Sequence, residues 1–104
     1  MAAYWLTFRI HEASIGGRTY ERRYEDLNEA VRTSCSKWWK TPTSFIAFES
    51  ASTIDALAKK FAGAIAPSQD LFLIRMMDTQ SAAICGKNDD TDIFTLMPYL
   101  VKYA

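Results

Sequence analysis

Two hydrophobic periods take turns along this chain, and their order restricts the fold to few arrangements. Tyr4, Leu6, Phe8 and Ile10 alternate with Trp5, Thr7, Arg9 and His11, the period of two that marks a strand with one apolar face. Tyr20, Tyr24, Leu27, Val31 and Cys35 then recur at helical spacing. Glu21, Glu25, Asp26 and Glu29 lie toward the N-terminal part of that stretch and Arg32 and Lys37 toward its end, the polarity the helix dipole favours. Ser44 to Ser50 returns to a strand pattern. Ile54, Leu57, Ala58, Phe61 and Ile65 form a second helical stripe, and Leu71 to Met77 is apolar apart from Arg75. With a short strand at Lys37-Trp38-Trp39-Lys40, the order is βαββαβ, an outline that hosts many unrelated functions.

The punctuation between these segments supports that order. Ser14-Ile15-Gly16-Gly17 supplies a turn, after which Arg18 to Arg23 either continues as an arm beside the first strand or begins the helix early. Thr41-Pro42-Thr43 turns the chain into the second long strand. Ser52-Thr53-Ile54-Asp55 has the form of a capping box with Asp in place of Glu, and Pro67 is expected to stop that helix. Asp78-Thr79-Gln80 leads into a short strand at Ala82 to Cys85, ended by Gly86. Pro98 restricts Ile93 to Met97 to a short or kinked helix. No repeat, linker or low-complexity segment divides residues 1–104, which read as one domain.

The 104 residues suffice for a single two-layer core, and a hydrophobic fraction of 49% excludes a disordered chain. Formal net charge is zero. Residues 1–60 carry nine Lys and Arg against seven Asp and Glu, and residues 61–104 carry three against five. This is not the basic excess of a protein that grips a phosphate backbone by charge alone, although a local basic patch is compatible with it. Cys35 and Cys85 lack metal-ligand spacing and have one histidine to join them, so they read as reduced, packed thiols. Met1 to Trp5 shows no basic run ahead of an apolar one, and no stretch approaches the ~20 apolar residues of a membrane span. The expectation is a cytoplasmic protein without membrane contact.

Several segments together carry a resemblance: Tyr4–Ile10, Tyr24-x-x-Leu27, Trp38-Trp39, Phe45–Ser50, Ile54–Ile65 and the Ser-x-Asp of Ser68-Gln69-Asp70 before Leu71-Phe72-Leu73-Ile74. This outline resembles the ferredoxin-like family of the small CRISPR adaptation subunit, which includes VapD-type ribonucleases. It also resembles the short prokaryotic proteins of the SinR family. The resemblance implies a ferredoxin-like fold and a homodimer. It also implies that nucleases of this kind carry an Asp at the end of the first strand to help hold a metal ion. Arg9 stands there in this chain, and a guanidinium cannot ligate Mg²⁺.

The chemistry-bearing residues form no catalytic set. His11 and Glu12 are adjacent, so on a strand they point to opposite faces. Cys35 or Cys85 with His11 lacks any flanking motif of a Cys–His nucleophile. Asp89, Asp90 and Asp92 lack the pattern of a calcium loop and read as caps and turns before a helix. Gly16-Gly17 has no Lys-Ser/Thr after it and is not a phosphate loop. Lys37-Trp38-Trp39-Lys40 is the most suggestive surface feature, because aromatics flanked by cations suit a protein interface or base stacking. On a strand its two rings face opposite ways, and the reading assigns Trp39 to the core and Trp38 to the surface.

The expectation is therefore an α+β, ferredoxin-like antiparallel sheet with two helices on one face, plus a short C-terminal strand and a helical turn. The other face carries Trp5, Thr7 and Arg9, together with alternate residues from Phe45–Phe48 and Leu71–Met77, and is left open. The function expected is that of a small non-enzymatic interaction protein, self-associating as a homodimer and binding another macromolecule. Trp5, Arg9, Lys37, Trp38 and Lys40 form its candidate interaction surface. No cofactor or metal is implied. A protein partner is preferred over nucleic acid because the net charge is zero. The alternative is a metal-dependent nuclease, or an inactive nucleic-acid-binding relative, of the CRISPR adaptation type.

Overall fold

Strand β1 (Ala2–Arg9) runs through the middle of a sheet that the rest of the chain wraps. The computed structural model describes residues 1–103. After β1 come α1 (Tyr20–Arg32), β2 (Lys37–Trp39), β3 (Phe45–Ser50), α2 (Ile54–Ala62), β4 (Leu71–Met76), β5 (Ala82–Gly86), α3 (Asp92–Leu96) and β6 (Leu100–Tyr103). The strands form one sheet in the order β2-β3-β1-β4-β5-β6. Every neighbouring pair is antiparallel except β5 and β6, which are parallel. The architecture is α+β, with a mixed six-stranded sheet and three helices.

Register makes the alternation of the sequence physical. Leu6 lies between Ile46 and Ile74, Tyr4 between Phe48 and Met76, and Phe8 beside Phe72, all on one face. Leu27 and Val31 of α1 and Leu57, Ala58 and Phe61 of α2 close over that face and form the core with it. Phe61 meets Phe48 and Phe72 edge-on, with centroids 6.0 and 6.2 Å apart, a geometry that suits the ring quadrupoles.

Local signals place the helices. Ile15 and Arg18 exchange both backbone N–H···O bonds around Gly16 and Gly17, whose φ angles of 61° and 81° a residue with a Cβ rarely adopts. Thr19 then caps α1 by accepting the Arg22 N–H, so Arg18 closes a tiny hairpin with Ile15 and the helix starts two residues later, at Tyr20. α1 ends at Arg32, which leaves Cys35 beyond it. Thr53, not Ser52, caps α2. Asp55 accepts instead from the Tyr103 hydroxyl at 2.6 Å and pairs with Lys59, tying β6 to α2. α2 stops at Gly63, before Pro67 is reached.

Two features depart from the antiparallel sheet expected. β6 was not anticipated: four residues at a sheet edge carry too short an alternation to read as a strand. It is parallel to β5 because the intervening chain crosses the face opposite α1 and α2, carrying α3 with it. That face is therefore half covered and not wholly open.

Arg23 and Asp70 are the large exception to an apolar interior. Both side chains are 0% exposed and pair at 2.8 Å. Arg23 also donates to the carbonyls of Arg18, His11 and Ala13, while Asp70 accepts the backbone N–H groups of His11 and Ala66. Burial pushes the Asp70 carboxyl up. The Arg23 hydrogen bond, the two backbone donors and the Arg23 charge outweigh that, so its pKa lies below the ordinary value. Asp70→Asn should cost about 3–5 kcal/mol, because it leaves a buried guanidinium without its counter-ion. A carboxyl with a lowered folded pKa stabilises above its unfolded value of about 3.9 and loses that stabilisation as pH falls through the folded value. Urea melts at neutral and acidic pH should show this loss in the wild type and a weaker acid dependence in Asp70→Asn.

Candidate interaction surface

The pairing that sends Tyr4, Leu6 and Phe8 into the core sends Trp5, Thr7 and Arg9 to the opposite face. Phe45 and Ala47 of β3, Leu73 and Arg75 of β4 and Ile84 of β5 share that face by register. Over its β4–β5 half, α3 makes a cover that buries Ile84. A groove of about 360 Å³ remains there, floored by Leu71, Leu73 and Ile84, walled by Ile93 and Leu96, and edged by Arg9 and the acidic Asp90 and Asp92.

The β2-β3-β1 half stays uncovered and is aromatic. Trp5 stacks on Phe45 with centroids 6.0 Å apart and planes 23° apart. Trp39 meets Phe45 edge-on at 6.2 Å and is 53% exposed. Beside Trp39 lies a shallow depression of about 390 Å³, in which Ala3 and Ala47 lie between Trp39 and Met77, with Lys37 and Glu49 at its margin. Arg75 pairs with Trp5 in register, and its guanidinium lies 5.5 Å from the Tyr99 ring centroid.

The structure divides the residues anticipated for this surface. Trp5, Arg9 and Lys37 lie on the face turned away from α1 and α2. Arg9 there donates to the Lys87 carbonyl at 3.0 Å. Trp38 and Lys40 do not join them. Trp38 pairs with Phe48, shares its face and packs half-buried against the core, with the Lys40 ammonium 5.4 Å from its ring centroid. The two indoles do face opposite ways, but Trp39 is the exposed one and Trp38 the structural one. Pairing of Trp38 with Phe48 on β3 sets that phase, the reverse of the one expected.

Phe45 and Arg75 lie on the face expected to carry alternate residues of Phe45–Phe48 and Leu71–Met77, without being singled out there, and Trp39 is a surface residue assigned to the core. An aromatic on the same phase as Ala47 and Glu49 was the available signal for Phe45.

The reactive groups are dispersed. His11 is exposed, and its contacts to Arg23 and Asp70 are made by its backbone. Cys35 is half-buried and donates to the Arg32 carbonyl at 3.7 Å. Cys85 is buried in β5. Burial pushes both thiols up, the opposite of thiolate activation. Asp90 and Asn88 accept backbone N–H groups within their own loop. Among the described residues, no three His, Cys, Asp or Glu side chains are grouped to hold a metal ion. No helix among the described residues is long and apolar enough to cross a membrane. Compared with known proteins, the chain matches no family model, no curated protein and no solved structure.

The two indoles should separate in thermal and chemical melts. Trp38→Ala should lose about 2 kcal/mol, less than the 3–5 kcal/mol of a fully buried ring. Trp39→Ala should stay within about 0.5 kcal/mol of wild type, as surface substitutions do.

Proposed function

We propose that this protein is a small non-catalytic binding domain that works through the uncovered β2-β3-β1 half of its sheet. The observation that carries the reading is the aromatic group of exposed Trp39 and half-buried Phe45 and Trp5 on a sheet whose other face is fully used by the core. Exposed rings held side by side at a sheet surface are the usual anchors of interfaces. Self-association is the simplest use: two copies facing each other shield their rings, giving the homodimer expected from the half-covered sheet.

The inner strand order β2-β3-β1-β4, all antiparallel, with α1 and α2 on one face, supports a ferredoxin-like reading of the domain. It also supports kinship with the CRISPR-adaptation, VapD and SinR proteins that the sequence resembles. Arg9 at the end of β1 argues against the nuclease chemistry of such proteins, and an inactive nucleic-acid-binding relative is the second reading. The unpaired cations of the open face favour it.

Sedimentation at micromolar concentration tests the first reading. A dimer is expected, and Trp39→Asp should shift it to monomer, with the melting temperature losing its dependence on protein concentration while the monomer stays folded. A monomer whose tryptophan fluorescence is fully quenched by acrylamide would remove self-association from the proposal. Incubation of RNA and DNA with the protein and Mg²⁺ or Mn²⁺ should leave them intact; cleavage would restore the nuclease alternative.

A further inference from the structure

The chain is neutral as a whole, but its open sheet face is not. At the strand positions turned away from α1 and α2 stand Arg9, Lys37, Arg75 and Lys102, against Glu49, which lies opposite Lys37; Arg9 and Lys102 border the α3-covered part, where Asp90 and Asp92 also lie. On the helical side, by contrast, carboxylates have cations beside them: Asp26 meets Arg18 and Arg22, Glu29 meets Arg32, and Asp55 meets Lys59. We infer that the open half of the sheet binds single-stranded nucleic acid, with bases stacked on Trp39 and on the Trp5–Phe45 pair and phosphates held by Lys37 and Arg75. This rests on the binding reading above and names its ligand.

The rings and cations fall in a usable order. Trp39, Ala47, Trp5 and Arg75 stand at one level on adjacent strands β2, β3, β1 and β4. Strand spacing places the ends of that row about 14 Å apart. Ala47 and Ala3 keep the surface low beside Trp39, so a flat base can lie against the exposed indole. Lys37 lies two residues along β2 from Trp39, on the same face and without an ion pair among the described residues.

Arg75 decides the class of ligand. It makes no ion pair or hydrogen bond among the described residues, and its Nε is buried without a partner. Its guanidinium is steadied by the Tyr99 ring alone. An unpaired, partly buried guanidinium at the end of the aromatic row is costly to cover with a protein surface that brings no carboxylate to it. It suits a phosphate, which accepts from guanidinium with charge assistance. A duplex keeps its base faces stacked internally, so a platform of side-chain rings selects unpaired bases. Asp90 and Asp92, at the α3 groove, repel a phosphate backbone and bound the site on that side.

Fluorescence anisotropy with labelled oligouridylate, oligothymidylate and an RNA duplex tests this. Both single strands should bind more tightly than the duplex by at least about tenfold, and the ratio of the two tells RNA from DNA preference. Trp39→Ala should weaken single-strand binding about tenfold, as loss of one base stack does. Arg75→Gln should lower the salt slope by about one, and Arg75→Lys should restore it. A second copy competes for the same face, so oligonucleotide should convert dimer to monomeric complex in the ultracentrifuge.

Absent binding in a protein that still forms a Trp39-dependent dimer overturns the nucleic-acid inference and leaves the binding-domain reading in place. Absence of both overturns the two together. Binding that is unchanged in Trp39→Ala and Arg75→Gln places the site elsewhere and also overturns the inference.

Discussion

Arg23 and Asp70 hold this fold together at the point where its two crossovers meet. Two charges at 0% exposure are costly to desolvate, and the cost is offset here by saturating their hydrogen bonds. The partners of Arg23 lie in the passage from β1 to α1, and those of Asp70 in that passage and the one from α2 to β4. One ion pair thus fixes how both helices return to the sheet. Its influence continues outward. The Asp70 carbonyl accepts the Lys87 N–H at 2.8 Å, an approach that needs Gly86, where a Cβ would come within 1.9 Å of that oxygen. The Lys87 carbonyl in turn accepts from Arg9 on the open face. The start of the segment that carries α3 is therefore anchored to the buried pair.

The sequence revealed the elements better than it revealed this node. β1, β3, α2 and β4 announce themselves by period, because each has one buried face and residues enough to show it. Arg23 does not, since a charged residue on an amphipathic helix reads as solvated. Its position four residues before Leu27 and eight before Val31, on the stripe that enters the core, was the legible sign. Asp70 against the apolar Leu71–Ile74 was the matching one. β6 was illegible because four residues hold too little period. The phase of Trp38 and Trp39 was illegible for a different reason: a three-residue edge strand takes its facing from its neighbour. Only the pairing of Trp38 with Phe48 shows which ring is inside.

Net charge and local charge differ on this molecule for a physical reason. A net charge of zero describes the sum, while recognition depends on the local field. Here Asp26 and Glu29 of α1 and Asp55 at the start of α2 pair with neighbouring cations on the helical layer. On the other face Arg75 has no such partner, and Lys37 stands opposite Glu49 without an ion pair among the described residues. The α3 segment sharpens the contrast by bringing Asp90 and Asp92 over the β4–β5 half, so the face is divided into a basic aromatic part and an acidic-edged groove.

The edges of the sheet direct association to that face. β2 has three residues, begins with Lys37 and is followed by Lys40 and Pro42; β6 has four and carries Lys102. Short strands with lysines offer little to a docking strand, the usual protection against edge-to-edge growth. Trp5 and Phe45, by contrast, stand on β1 and β3, whose reverse side holds Tyr4, Leu6, Ile46 and Phe48 in the core. Trp5 and Phe45 are therefore carried by backbone that is fixed from behind, and a ligand meeting them need not order the surface it binds. That saving of ordering entropy is what separates a rigid platform from an accidental patch of exposed rings.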